Sequence, residues 1–122
     1  MNNHLAIPVK NLEESKNFYQ KLGFEVFNSW KKEKQELEAV WMQDRNGYKI
    51  ELIYHPKNKD FKFPEVTEVQ HLGIGVKNLE EKLTELQKEG IEITVPITKG
   101  VTVKYFAFIK DPNGFSIELV EY

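Results

Sequence analysis

The sequence predicts an α+β fold made of two tandem βαβββ modules, and three observations predict it. The phrase HLAIPVKNLEE at residues 4–14 returns as HLGIGVKNLEE at residues 71–81. At that offset of 67 the match continues, with 13 identities in the 23 pairs from His4/His71 to Val26/Ile93 and six in the 13 pairs from Gln43/Lys110 to His55/Tyr122. Within each copy, strand-like alternation gives way to a helical stretch and then to three further strand-like stretches. Module one therefore spans 4–55 and module two 71–122, joined by the polar stretch 56–70 (PKNKDFKFPEVTEVQ). Only one identity remains in the 16 pairs from Phe27/Thr94 to Met42/Ile109, so the middle has drifted while both ends have not.

The elements follow in order. His4–Val9 and His71–Val76 alternate, with Leu5, Ile7 and Val9 matched by Leu72, Ile74 and Val76, which is the period of a strand. Next come the capping boxes Asn11 to Glu14 and Asn78 to Glu81, each with asparagine as cap and glutamate three residues on. The helices are expected to bury Leu12, Phe18, Tyr19 and Leu22 in one copy, and Leu79, Leu83 and Leu86 in the other. Gly23 and Gly90 stand where a left-handed stop is wanted. Strands near 24–30, 37–43 and 48–54 follow in module one, and near 91–95, 102–109 and 115–121 in module two. The turns DRNG at 44–47 and DPNG at 111–114 read as hairpins, with Asn-Gly supplying positive φ angles.

Composition bounds the function classes. A chain of 122 residues is one domain by length. With 40% hydrophobic and 30% charged residues it has the make-up of a soluble globule. A net charge of −2 with interspersed lysine and glutamate leaves no basic footprint for nucleic acid. No apolar run approaches a membrane span, and the start lacks a signal-peptide pattern. Without cysteine there is no disulfide framework, thiolate metal site or cysteine nucleophile. Together these predict a cytoplasmic protein bound to neither nucleic acid nor membrane. Any metal must use imidazole and carboxylate.

Splitting the strands by face locates such a set. If Leu5, Ile7 and Val9 face the helix, then His4, Ala6 and Pro8 face the other way, as do His71, Gly73 and Gly75 in module two. In the last strand of each module Ile50, Leu52, Ile117 and Leu119 take the helix side, leaving Glu51 and Glu118 on the open side. A carboxylate between buried aliphatics is costly unless paired or ligated. Small residues beside each histidine leave space rather than fill it. Two histidines and two glutamates thus fall on equivalent faces of equivalent strands, a ligand set for Zn²⁺, Ni²⁺, Co²⁺, Mn²⁺ or Fe²⁺ with positions left for water or substrate. His55 reads as a surface or pocket-rim residue, and Lys99 and Lys104 as candidate holds for an anionic substrate.

The stretches VKNLEESKNFYQKLGF, IEL around Glu51, HLGIGV at His71 and FIKDPNGFSIEL ending near Glu118 together resemble the glyoxalase I branch of the vicinal-oxygen-chelate superfamily. The resemblance covers essentially the whole chain. It implies paired modules curving into a half-barrel around one divalent ion, with Ni, Co or Zn expected. It implies metal ligands at His4, Glu51, His71 and Glu118, with Glu118 or Glu51 as the base. It also implies isomerisation of a hemithioacetal of methylglyoxal with glutathione or another thiol. A homodimer with sites between subunits is expected as well. Two positions depart from the family. An arginine usual four residues after the first histidine is here Pro8, and an asparagine usual four after the first glutamate is here His55. An epimerase of the methylmalonyl-CoA type, a fosfomycin-type thiol transferase and a metal-free binding protein of the bleomycin-resistance type stand as alternatives.

Overall fold

The computed structural model of the chain describes residues 3–64 and 70–122; residues 65–69 of the expected linker lie outside the described residues. The chain divides into two compact units, Met1–Lys62 and Phe63–Tyr122.

In the first unit the order is β1 (His4–Val9), α1 (Leu12–Lys21), β2 (Glu25–Lys32), β3 (Leu37–Gln43) and β4 (Lys49–Tyr54). The four strands form one open mixed sheet in the order β1-β4-β3-β2, with β1 parallel to β4 and the other pairs antiparallel. The register sets Leu5 beside Ile50 and Ile7 beside Leu52, so the aliphatics of β1 and β4 share a face. Helix α1 packs on that face through Phe18 and Tyr19, and the core also takes in Val9, Phe24 and Met42. Each such side chain, fully buried, contributes about 1.5–3 kcal/mol. Leu12 in the first turn of α1 is half-buried rather than buried, and Ser15 is the buried residue of that stretch.

The second unit repeats the plan with β5 (His71–Gly75), α2 (Leu79–Lys88), β6 (Ile93–Lys99), β7 (Tyr105–Lys110) and β8 (Ser116–Glu121). Its sheet runs β5-β8-β7-β6, again with the first pair parallel. Leu79, Leu83 and Leu86 are buried as expected. The strand bounds differ from those expected. Residues 91 and 92 belong to the helix exit, where the Ile91 N–H donates to the Leu86 carbonyl at 3.0 Å, so β6 starts later. It also runs further, to Lys99, because Pro96 lies in an edge strand where a missing N–H is tolerated. Residues 100–104 form the loop. A Cβ on Gly100 would come within 2.4 Å of the Val103 carbonyl oxygen, so this tight turn admits only glycine.

Both capping boxes form on the asparagine side: Asn11 Oδ1 accepts the Glu14 N–H at 2.9 Å, and Asn78 Oδ1 accepts the Glu81 N–H at 3.0 Å. Gly23 and Gly90 take φ of +93° and +82°. The two hairpin turns differ from the expected pairs of left-handed residues. Only Gly47 and Gly114 have positive φ there, while both asparagines do not. The cause is the leading aspartate. Asp44 Oδ1 accepts the N–H groups of Asn46 and Tyr48, and Asp111 Oδ1 those of Asn113 and Phe115, which holds the intervening residues right-handed.

One irregularity is shared. The β6–β7 register, which shifts again between Val95 and Thr98, shares its first shift, between Ile93 and Val95, with the β2–β3 shift between Val26 and Asn28. The extra residues are Phe27 and Thr94, which stand at the same offset of 67. A bulge of this kind adds twist and reverses the faces of the residues beyond it.

The expected linker is partly structured. His55 Nδ1 accepts the Lys57 N–H at 3.0 Å and caps a 3₁₀ turn at Pro56–Asn58. Phe63 belongs to the second unit, where its N–H donates to the Asn113 carbonyl at 2.7 Å and its ring stacks on Phe115 at 4.6 Å. No helix among the described residues is long and apolar enough to cross a membrane.

Candidate functional site

Parallel pairing of β1 with β4 places Glu51 directly across from Ala6, with His4 two residues before Ala6 on the same face. In the second unit Glu118 lies across from Gly73, with His71 in the equivalent place. His4 Nε2 is 3.5 Å from Glu51 Oε1, and His71 Nε2 is 3.3 Å from Glu118 Oε1. The faces read from the alternation are therefore the faces observed. Each unit brings its own histidine and glutamate together, and within neither unit does a third His, Asp or Glu of the described residues join them.

These separations exceed those of a good N–H···O hydrogen bond, about 2.7–3.2 Å. Two donors about 2.1 Å from a metal at right or tetrahedral angles stand roughly 3.0–3.4 Å apart, a range that holds the His71–Glu118 pair and that the His4–Glu51 pair exceeds by a tenth of an ångström. The donor chemistry and its spacing thus fit a divalent ion, with each unit supplying one nitrogen and one oxygen.

The walls of each pair are aromatic. Trp41 lies across from Glu51 in β3, and its ring centroid is 4.3 Å from that of His4. Phe108 lies across from Glu118 in β7, edge-on to His71 at 5.3 Å. Trp41 and Phe108 share the offset of 67, inside the stretch where a single identity remains. Sequence reasoning missed both, although aromatic character at matched positions was the available signal. Phe27 extends the wall in the first unit, 6.0 Å from Trp41, and Phe106 does so in the second, 6.0 Å from Phe108.

The carboxylates are not equivalent. Trp30 Nε1–H donates to Glu51 Oε2 at 2.7 Å, and the Glu51 side chain is 10% exposed. At the offset of 67 the second module has Ile97, and after a second register shift Thr98 is the residue that pairs with Phe106, the counterpart of Ala39. There the Glu118 side chain is 23% exposed. The remaining candidates have other engagements. His55 Nδ1 is held by the backbone of Lys57. Lys104 Nζ lies 3.6 Å from Glu121 Oε2 and 5.7 Å from the Tyr105 ring centre. Lys99 is exposed at the end of β6.

Two open mixed sheets, each backed by one helix and carrying a His–Glu pair on its other face, define the class. Residues 2–119 match the Glyoxalase/Bleomycin resistance protein/Dioxygenase superfamily, and the chain belongs to it. It is 36% identical to the uncharacterized protein YwkD of Bacillus subtilis (strain 168), over 97% of this chain and 94% of that one. It is 26% identical to the lactoylglutathione lyase of Escherichia coli O157:H7, over 97% and 90%. Among solved structures, the trypanothione-dependent glyoxalase I of Leishmania major superposes with a TM-score of 0.79 at 25% identity, covering 97% of this chain and 84% of that one.

Proposed function

We propose that this protein is a metal-dependent, glyoxalase-I-like lyase that isomerises the hemithioacetal of a thiol and a 2-oxoaldehyde such as methylglyoxal. The observation that carries the reading is the His–Glu pair at one register in both modules, with Nε2 and Oε1 spaced as donors to one ion. His4, Glu51, His71 and Glu118 would hold a single Ni²⁺, Co²⁺ or Zn²⁺. When bound, the ion supplies Lewis-acid polarisation of the substrate's adjacent oxygens.

The residues of the chain do the rest. A carboxylate takes the proton from the thiol-bearing carbon and returns it to the neighbouring carbon, while the hydroxyl proton of the first carbon passes to the oxygen of the second, which turns the hemithioacetal into a 2-hydroxy thioester. Glu118 suits this role better than Glu51, because Trp30 already occupies one Glu51 oxygen. Ala6 and Gly73 leave room across from the two carboxylates. Trp41 and Phe108 set an aromatic wall beside each imidazole.

Where the family has an arginine and an asparagine for glutathione, Pro8 offers no donor and His55 has Nδ1 engaged. The thiol is therefore to be sought beyond glutathione. In this reading the full set of four is completed in a homodimer, as the family resemblance implies, with His4 and Glu51 from one chain and His71 and Glu118 from the partner. The deciding experiment loads the protein separately with Ni²⁺, Co²⁺ and Zn²⁺ and follows thioester formation from methylglyoxal with a panel of thiols. Turnover with at least one metal and thiol is expected. Stoichiometric metal without turnover on any thiol would overturn the lyase reading.

A further inference from the structure

Trp30 is one of the chain's two tryptophans and the one that the repeat does not account for. It sits in β2, two strands away from Glu51 in β4, yet its indole reaches the carboxylate. Two features make this reach possible. The bulge at Phe27 reverses the faces of β2 beyond it, so Trp30 pairs with Ala39 on the side that carries Trp41 and Glu51. And Ala39, wholly buried, is small enough for an indole to pass across β3. The Lys32 ammonium lies 5.9 Å from the ring centre, within cation–π range.

At 2.7 Å the contact has the length of a charge-assisted N–H···O⁻ bond. It commits Oε2 and leaves Oε1 as the oxygen beside His4 Nε2. We infer that Trp30 is the positioning residue of the first module: its indole N–H fixes Glu51 so that Oε1 alone is presented to the ion. This rests on the metal-site reading above. Among the described residues no side chain gives Glu118 a bond of this kind: Thr98, which holds Trp30's place in the register of the second module, donates its hydroxyl to the Pro96 carbonyl. One carboxylate is therefore anchored from behind and the other is not.

The test uses the whole chain and metal binding rather than turnover. Ni²⁺ or Zn²⁺ affinity is measured by competition with a chromophoric chelator for the wild type, Trp30→Phe and Trp41→Phe. Loss of an outer hydrogen bond to a metal ligand lowers affinity by about 10–100-fold, which is the expectation for Trp30→Phe. Trp41→Phe, which keeps a ring beside His4, should change affinity far less. Equal affinity in wild type and Trp30→Phe would overturn the role of Trp30 and leave the metal reading standing. No binding by the wild type would overturn both. A second measurement does not depend on how Trp30→Phe folds. In Trp41→Phe the single remaining indole N–H signal in a proton–nitrogen correlation spectrum belongs to Trp30. It should lie downfield, and it should move upfield when Glu51→Gln is added. A signal at the position of a solvent-exposed indole, indifferent to Glu51→Gln, would overturn the inference.

Discussion

Gly73 lies directly across from Glu118 in the β5–β8 pair, and a methyl group built on it would stop 4.0 Å from Glu118 Oε1. That is ordinary contact, and Ala6 already fills the same place across from Glu51. Gly73→Ala should therefore keep metal binding and raise stability by about 0.4–1 kcal/mol through the loss of unfolded-chain freedom. Gly73→Leu should fill the space beside the carboxylate and abolish binding. Thermal unfolding and metal titration of the two variants check both halves.

Chelation followed by gel filtration should remove activity, and restoring one divalent ion per site should return it. His71→Ala should lose stoichiometric metal in elemental analysis, because the second unit would keep only Glu118 of its two donors. Undiminished metal content in His71→Ala would count against the assignment.

Turnover should separate the glutamates. Glu118→Gln should lower kcat by about 10²–10⁴ with little change in KM, since an amide ligates weakly but accepts no proton. Glu51→Gln should act mainly through metal affinity. Full turnover in both variants would end the carboxylate-base mechanism.

Mixing inactive His4→Ala chains with inactive His71→Ala chains tests the dimer. With sites shared across chains, a mixed dimer has one site with both lesions and one with none, so activity returns after exchange. With sites inside chains, each site keeps one lesion and the mixture stays inactive.

The caps contribute to stability alone. Asn78→Ala removes the acceptor for the Glu81 N–H and should cost about 1 kcal/mol in denaturant unfolding. Asn11→Ala should cost a similar amount in the other module. Metal affinity should be unchanged in both.

Much of the site was legible because it rests on local alternation. His4, His71, Glu51 and Glu118 needed only the parity of their own strands to be placed on open faces. The caps and the glycine stops were legible for the same reason, each being settled within a few residues. What escaped depends on contacts between distant strands. Counting identities passed over Trp41 and Phe108, which keep aromatic character without keeping the residue. The bond from Trp30 to Glu51 crosses 21 positions and depends on a register shift that leaves no local sign. Phe63 was read as linker because only its stacking on Phe115 reveals where it belongs.

The bulge at Phe27 has a consequence for how this stretch is able to change. Each residue beyond the bulge owes its face to how many residues precede it, not to what they are. Removing one residue near Phe27 would turn Trp30 away from Glu51 as surely as replacing it, and would flip every later side chain of β2 with it. A substitution on the outer positions of that strand does neither. The constraint on this stretch of β2 is thus one of length, as with the teeth of a ratchet, and a length constraint leaves almost no trace in letter-by-letter comparison.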